Sequence, residues 1–500
     1  MANENKAGLL HASERDGVQY RKAKLWEMII GNANNGCGIC FYLLMMYASY
    51  IGTEGYGIVT VVVGTILMAM RIFDGATDAL GAAIFEKINP KHGKIRIFLV
   101  TGWVLASLGV LIMYSWAACK FSGVAGFVVF ILSYIIYILG YTINGLAGGV
   151  IGTVITNDPT QRPMNGVIST LYSYLTPMVF NTIIAFAILP KYDNQYNAPM
   201  LKEACYLYVI VAGVFMVLAC IGVSRFDNAE TFAVIGSDKK EEKIKWRDMW
   251  AVLRDNKDVQ RYIVTCASDK FAQQTASQSV ITTMASGILI GSYTVATMIG
   301  NFTMIVGIAF AFLGGIYVAK NGAKKATSVW SWASIAIAVV TVVFCTTLGP
   351  TGMSKIGVFG VPMIIYALLQ LATVATKMIL TTTSTAMRAD CVDAELERTG
   401  KYMPAVVGGV YSFIDKLITS VSSLIATICI AAIGYVNTVP QMGDKPTWEI
   451  FIMTMALSCG LPILGWLCNV IAMRKYTLSK ERMIEIQKNV AEAKAEAMSK

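Results

Sequence analysis

Long apolar stretches alternate with short polar segments along almost the whole chain of 500 residues. A helix rises about 1.5 Å per residue, so a stretch of roughly 20 apolar residues can cross the hydrocarbon core of a bilayer. Twelve stretches reach this length, at residues 25–51, 56–85, 97–118, 124–152, 163–189, 203–224, 259–288, 290–319, 325–347, 355–388, 404–435 and 448–472. The pattern therefore predicts an all-α membrane protein with twelve transmembrane helices.

Composition and charge support this fold class. The chain is 55% hydrophobic and 14% charged, with a mean hydropathy of +0.58, which excludes a soluble domain. Its net charge of +10 comes from basic residues that lie between the apolar stretches, which argues against nucleic-acid binding. The predicted outer loops hold few of them: Lys120, Lys191, Lys202, Lys355 and Lys445. This asymmetry predicts that both termini are cytoplasmic in a multi-pass protein of the cell membrane.

A polar stretch from Ser224 to Lys257 divides the apolar stretches into two groups of six. The basic turn that starts at Lys91 is echoed 229 positions later, at Lys320, and both turns contain a glycine. A weak repeat at half length is typical of transporters built from two related bundles. The predicted segments are an N-terminal segment (1–24) without signal-peptide features, two six-helix bundles (25–224 and 259–472), a linker (225–258) and a cytoplasmic tail (473–500). Met483 and Ile486 predict an amphipathic helix in the tail.

Little in the sequence indicates an enzyme. The 11 cysteines have no spacing that suggests a disulfide framework, and two histidines argue against a histidine-based metal or catalytic centre. No nucleophile and base stand in a catalytic pattern, and no nucleotide-binding loop occurs. We therefore expect no enzyme activity and no cofactor other than a coupling cation.

Two acids lie in the second apolar stretch. Asp74 and Asp78 are four residues apart on one helix face, one turn after Arg71. Two carboxylates in a low-dielectric environment repel each other unless a cation joins them, so the pair is a candidate site for Na⁺ or H⁺. The alternative is that Asp78 is an interfacial charge that tethers the basic turn to the helix end.

The pattern Arg71-x-x-Asp74-x-x-x-Asp78, followed by Gly93-Lys94-x-Arg96, resembles the glycoside-pentoside-hexuronide cation symporters, a melibiose permease-like group with the major facilitator fold. The stretch that runs from Asp390 to Lys401 resembles a second motif of this family. The resemblance implies a cation site that includes Asp74, Asp78, Thr142 and Lys416, with both acids as metal ligands if Na⁺ is the coupling ion. In the second motif, Asp390, Asp393 and Arg398 are predicted to form ion pairs of a cytoplasmic gate.

The family's sugar-binding residues are replaced. Asn34 and Asn35 stand where the family has a Lys-Asp pair, and Gly145, Gly149 and Thr170 replace an Asp, a Trp and an Arg. Amides in a membrane span hydrogen-bond either to a neighbouring helix or to a hydroxylated ligand, and both alternatives stay open. The residues predicted to line a substrate site are Asn34, Asn35, Arg71, Tyr141, Asn144, Thr170, Lys270, Lys377 and Ser412.

Lys270 and Lys377 allow two interpretations. Both lie in apolar stretches of the second half, where a charge must face a partner or a polar cavity. Local ion pairing is one interpretation. If the two side chains line a cavity instead, they favour an anionic substrate.

These observations together predict a cation-coupled secondary symporter of a sugar or glycoside that works by alternating access as a monomer in the bilayer. One alternative is a symporter of an anionic glycoside such as a hexuronide. A lysolipid carrier and a sensor that binds without transport are further alternatives.

Overall fold

A computed structural model describes residues 13–15, 18–20, 22–87, 93–156, 161–228, 253–399 and 404–499. The contacts divide the chain into two compact units. The first unit comprises Met1–Glu242 and Val436–Val439, and the second comprises Lys243–Tyr435 and Pro440–Lys500. The predicted domain bounds stay predictions, because most of the predicted linker and of the N-terminal segment lies outside the described residues.

The first unit begins with a two-stranded antiparallel ribbon of β1 (Ser13–Arg15) and β2 (Val18–Tyr20). Its described helices are α1 (Leu25–Gly31), α2 (Ala33–Met45), α3 (Ala48–Tyr50), α4 (Thr60–Lys87), α5 (Ile95–Leu111), α6 (Gly123–Ile155), α7 (Arg162–Ile183) and α8 (Ala198–Val223). Turns of π-helix extend α3, α5 and α7 over Ile51–Gly55, Ile112–Trp116 and Ile184–Ile188.

The described helices of the second unit are α9 (Lys257–Ala276), α10 (Ser279–Thr282), α11 (Tyr293–Asn321), α12 (Ala323–Gly352), α13 (Val361–Thr399), α14 (Pro404–Ala432), α15 (Trp448–Met455), α16 (Leu461–Lys475) and α17 (Lys480–Ser499). Turns of π-helix continue α10 over Thr283–Leu289 and join α15 to α16 over Ala456–Gly460.

Within the described residues, eleven helical segments are long and apolar enough to cross a membrane. The predicted span at 259–288 is not among them, because α9 carries Arg261, Asp269 and Lys270, and only the shorter Ser279–Leu289 that follows is strongly apolar. The multi-pass helical membrane fold is confirmed, with the short ribbon of β1 and β2 as an addition that the sequence did not predict. The twelfth span and the side on which the termini lie stay predictions.

Glycines let α5 and α6 pack closely. A Cβ atom on Gly102 would lie 2.6 Å from the backbone nitrogen of Asn144, and one on Gly109 would lie 2.5 Å from that of Tyr137. Such close packing is a common use of small residues between membrane helices. Gly81 plays the same part between α4 and α6, since its Cβ would lie 3.3 Å from Cγ2 of Thr142. The acids of α4 are thereby held beside the hydroxyl-bearing face of α6.

A buried carboxylate closes the turn between α4 and α5. Asp227, which follows α8, accepts hydrogen bonds from the backbone nitrogens of Ile95 and Arg96, both at 2.9 Å, and from Nε of Arg96 at 3.2 Å. An anion at this position satisfies the free N–H groups at the start of α5. Gly93 has a φ of +87°, and a Cβ there would overlap Asp227. The glycine is therefore required both by its backbone angle and by this contact.

The C-terminal helix closes the corresponding turn in the second unit. Gly322 has a φ of +79°, and a Cβ there would lie 2.9 Å from Cβ of Lys480, whose Nζ donates to the carbonyl of Lys320 at 2.8 Å. The helix predicted in the tail is present as α17, and Ile486 is only 1% exposed because it packs in an apolar cluster with residues that include Tyr476. This part of the tail is docked on its own unit.

Candidate functional site

Three oxygen-bearing side chains meet between α4 and α6 in the first unit. Oγ1 of Thr142 donates to Oδ1 of Asp74 at 3.2 Å. Thr77 is buried, its Oγ1 lies 3.1 Å from that of Thr142, and it donates to the carbonyl of Asp74 at 2.9 Å. Carboxylate and hydroxyl oxygens are suitable ligands for a hard cation or a proton. The structure thus joins two of the predicted cation residues and adds Thr77, which the sequence analysis missed.

Two acids and one basic residue lie near each other on α4 at this cluster. Asp74 and Asp78 are both partly buried and lie one turn apart on α4, and Arg71 is the basic residue one turn earlier. Ionised, the three side chains carry a net charge of −1. One bound monovalent cation would bring the sum to zero. Lys416, the fourth predicted cation residue, is partly buried in the second unit.

A row of aromatic rings on α6 leads to the acids. The ring centroids of Tyr134 and Tyr137 are 5.8 Å apart, and those of Tyr137 and Tyr141 are 5.6 Å apart. All three phenol groups lie close enough to Arg71 and Asp74 to interact with their charges. Tyr141 is only partly buried. Its ring therefore offers an apolar face beside a charged group, a combination that suits a hydroxylated ring.

The predicted asparagines make contacts between helices. Nδ2 of Asn34 donates to the carbonyl of Asn144 at 3.4 Å, and the Asn144 amide lies 3.9 Å from Sγ of Cys37. Nδ2 of Asn35 donates to Oγ of Ser169 at 2.8 Å. Thr170 is exposed and bonds to its own helix. The packing interpretation accounts for these bonds, and the four residues do not form one cluster. Oδ1 of Asn34 is buried and has no hydrogen-bond partner among the described residues.

A polar cavity of about 150 Å³ lies in the second unit. Its charged and amide-bearing lining comes from Asp269, Lys270 and Gln273 of α9 and Asn469 of α16. Nε2 of Gln273 donates to Oδ2 of Asp269 at 2.7 Å. Of the predicted substrate residues, Lys270 lines the cavity, and Lys377 is partly buried on α13 within electrostatic range of Asp269. The side chain of Ser412 lies outside the described residues.

The predicted gate residues hold two other segments of the second unit. Arg398 donates to both oxygens of Glu395, at 2.7 and 3.0 Å, and Asn256 donates to the same carboxylate at 2.7 Å. Asp393 accepts from Nε2 of Gln487 in α17 at 2.6 Å, and Asp390 is partly buried. The motif therefore ties the end of α13 to the start of α9 and to the tail, while its role as a gate stays a prediction.

The tail contacts involve a second acid of the same motif. Glu397 forms an ion pair with Arg482 at 2.6 Å and accepts from Nδ2 of Asn489 at 2.7 Å. The sequence analysis assigned no role to Glu395, Glu397 or Asp227. The available signal was an acid next to a helix end, but each of these acids also has a partner that is distant in the sequence: Asn256 for Glu395, Arg482 for Glu397 and Arg96 for Asp227.

Comparison with solved structures identifies the fold. The nucleoside transporter NupG has a TM-score of 0.60 at 11% identity, with 90% of this chain and 99% of that chain covered. A bacterial homologue of the iron transporter ferroportin also has a TM-score of 0.60 at 11% identity, with coverages of 90% and 98%. At this level of identity the likeness defines the fold alone.

Several bacterial proteins are similar in sequence. "Putative glycoside/cation symporter YagG" of Escherichia coli (strain K12) is 26% identical over 132 residues, 26% of this chain and 28% of YagG. The "Glucuronide carrier protein homolog" of the same strain is 23% identical over 40% of this chain and 44% of its own length. The alignments thus span less than half the length of these two relatives. "Uncharacterized symporter YjmB" of Bacillus subtilis (strain 168) is 23% identical over 88% of this chain and 91% of its own.

A family model described as "MFS/sugar transport protein" matches residues 30–480, which is most of the chain. The predicted cation, substrate and gate residues of both units all fall within this match. The chain therefore belongs to the MFS/sugar transport protein family, and it is a multi-pass membrane transport protein and not an enzyme.

Proposed function

We propose that this protein is a cation-coupled symporter that moves a sugar or glycoside across the cell membrane by alternating access. The observation that carries the proposal is the cluster of Asp74, Thr142 and Thr77 inside two long apolar helices. Family membership and the names of the relatives support the same activity.

The coupling follows from charge. Without a cation, the carboxylates of Asp74 and Asp78 repel each other in a low-dielectric environment, and their negative charge is costly there. A bound Na⁺ or H⁺ removes that charge, and the hydroxyl groups of Thr142 and Thr77 add neutral oxygen ligands. Only the empty and the fully loaded carrier then change conformation readily, because each half-loaded state leaves polar groups unpaired.

The solute site includes Tyr141. Its partly buried ring near Asp74 provides the apolar surface on which one face of a sugar ring can pack, while neighbouring polar groups bind the hydroxyls. This arrangement links the solute to the cation site, since both would share the same stretch of α6.

The test is accumulation of nitrophenyl glycosides in liposomes that contain the purified chain, driven by a Na⁺ or an H⁺ gradient. Wild type should concentrate at least one glycoside under one gradient, and Asp74→Asn should lose this uphill transport. Thr142→Val should raise the cation concentration needed for half-maximal uptake by roughly tenfold. A hydrogen bond to a charged group contributes a free energy of this order.

The matched control is Glu203→Gln, which removes an acid from an exposed ion pair with Lys191 in the same unit. It should transport like wild type. Accumulation by Asp74→Asn at the wild-type level would contradict the proposal, as would transport by wild type that neither gradient affects.

A further inference from the structure

A short piece of the loop after α14 is part of the first unit. Val436–Val439, here called the strap, belongs to that unit by its contacts, whereas Tyr435 before it and Pro440 after it belong to the second unit. Lys445, in the same loop, is one of the residues predicted to lie on the outer side of the membrane. The chain thus leaves the second unit at the strap and then returns to it.

The strap is bound to the first turn of α4. The backbone nitrogen of Thr60 donates to the carbonyl of Val436 at 3.0 Å, and Oγ1 of Thr60 donates to the carbonyl of Thr438 at 3.1 Å. Thr60 is fully buried, although Val59 directly before it is 37% exposed. The N–H groups in the first turn of a helix have no partners within the helix, so the strap supplies an acceptor that α4 lacks.

The first unit also holds the start of α4 by contacts that do not involve the strap. The backbone nitrogen of Ile58 donates to the carbonyl of Gly52 at 3.1 Å, and Oη of Tyr56 donates to the carbonyl of Met113 at 2.9 Å. Val63, in the first turn of the helix, is fully buried. The position of α4 therefore does not depend on the strap, and its first turn stays in place when the strap leaves.

One carboxylate holds the two ends of the loop that carries the strap. Oδ2 of Asp444 accepts from Oη of Tyr435 at 2.7 Å and from the backbone nitrogen of Gln441 at 3.0 Å. These three residues belong to the second unit. Gly434, next to Tyr435, has a φ of +107°, which glycine adopts without strain. The loop therefore has a shape of its own, which does not require the contact with α4.

We propose that the strap is a detachable latch, which binds the first turn of α4 in one state of the transport cycle and leaves it in the other. The inference rests on the proposed alternating access, in which one half of the carrier moves against the other. The strap is bonded to the first unit but is joined by its chain, on both sides, to the second. Its two hydrogen bonds are neutral, and each changes an equilibrium by only about fivefold, so both can break in every cycle. Because α4 also carries Asp74, the latch acts on the helix of the candidate cation site.

Hydrogen–deuterium exchange at the start of α4 measures detachment in the purified full chain, without a solute or an ion gradient. Thr60→Val removes one of the two hydrogen bonds and should raise the exchange rate of this turn by about fivefold. Thr60→Ser keeps the hydroxyl group and should exchange like wild type. The control is Thr65→Val on the same helix, whose exposed hydroxyl donates to the carbonyl of Val61 at 2.9 Å, and it should leave the exchange rate of the first turn unchanged.

A reversible cross-link distinguishes a latch from a fixed contact. Val59→Cys with Asn437→Cys places thiols at two exposed positions next to the bonded residues, and a short bis-thiosulfonate reagent joins them. The joined chain should exchange the amides at the start of α4 at least about fivefold more slowly than the same variant without reagent, because detachment no longer precedes exchange. It should also lose glycoside transport in liposomes and regain it on reduction.

Two controls accompany the cross-link. Lys191→Cys with Glu203→Cys replaces an exposed ion pair of 2.6 Å within the first unit, and this variant should keep transport when joined. Wild type treated with the same reagent gives the baseline, since Cys119 and Cys468 are exposed.

Full transport by the joined variant of Val59 and Asn437 would overturn the inference, because the strap would then be a permanent part of the first unit. Exchange that the cross-link does not slow would also overturn it. The exchange measurement needs no transported solute, so a chain that moves no glycoside would contradict the proposed function while the latch is still tested.

Discussion

In each unit, the chain that follows the last long helix returns to the glycine turn after the second long helix. In the first unit Asp227 reaches the turn at Gly93, and in the second unit Lys480 reaches the turn at Gly322. In each unit, an acid near the first helix also contacts the chain near the end of that unit. Glu27 pairs with Arg225 at 2.9 Å, and Asp258 accepts a hydrogen bond from the backbone nitrogen of Thr477 at 2.8 Å. The two units therefore repeat a pattern of contacts, although the residues that make them differ.

The two units differ in the charge of the side chain that closes the turn. The first unit closes its turn with a buried carboxylate, whereas the second uses a lysine and an added helix whose polar contacts are mostly exposed. The charged groups also differ: two acids and one arginine lie near each other on α4 in the first unit, whereas Asp269 and Lys270 line a polar cavity in the second. The backbone arrangement is common to both units, but the chemistry of each unit is its own.

The largest effect on stability is expected at the buried carboxylate of the first unit. Asp227→Ala removes the acceptor of three hydrogen bonds and leaves Arg96 without its ion-pair partner. We expect a loss of about 3 kcal/mol, since breaking a buried ion pair is strongly destabilising. The thermal unfolding of the purified chain measures it. Lys480→Ala, at the corresponding turn of the second unit, should cost less, and an equal loss would show that the two closures do not differ.

The next prediction separates the cost of a positive φ angle from the cost of a steric overlap. Gly93→Ala and Gly322→Ala both force a positive φ on a residue with a Cβ, at about 1–2 kcal/mol each. Gly57→Ala is the control for angle alone, because its φ is +67° and a Cβ there would meet nothing within 4 Å. Gly93→Ala should be the most destabilising of the three, because its Cβ would overlap Asp227. A thermal shift no larger than that of Gly57→Ala would contradict this contact.

The smallest effect is expected at the tail. Arg482→Gln breaks the partly exposed ion pair with Glu397 and an exposed one with Glu485, and exposed pairs contribute little to stability. The change should raise the rate at which trypsin removes the tail at low salt. At 1 M salt, where the Debye length is about 3 Å, wild type should be cleaved at the rate of the variant. Arg254→Gln, which breaks an exposed pair with Asp255 in the same unit, should leave the rate unchanged.

The sequence predicted those features that depend on local spacing. Apolar stretches identified most of the helices, and the four-residue spacing of Asp74 and Asp78 identified the acidic face of α4. Thr77 was missed although it lies between the two acids, because its contact with Thr142 depends on how closely α4 and α6 approach. The glycine contacts that set this approach involve residues that are distant in the sequence.

The same limit applies to the second unit. The sequence identified Lys270 and Lys377 as charges in need of a partner, and the packing of α9 against α13 brings Lys377 near Asp269, the chain neighbour of Lys270. The cavity also depends on Tyr411 and Asn469, which come from two further helices. The predicted stretch at 259–288 includes Arg261, Asp269 and Lys270, so only its second part, Ser279–Leu289, is strongly apolar in the structure.

The closure of each glycine turn bears on the ancestry of the protein. In each unit, the residue that contacts the glycine turn belongs to that unit and comes shortly after its last long helix. If the units arose from one ancestral gene of half this length, that gene would already have encoded the segment after the last long helix that closes the turn. Duplication and fusion of such a gene would give two units that each contain their own closing contact.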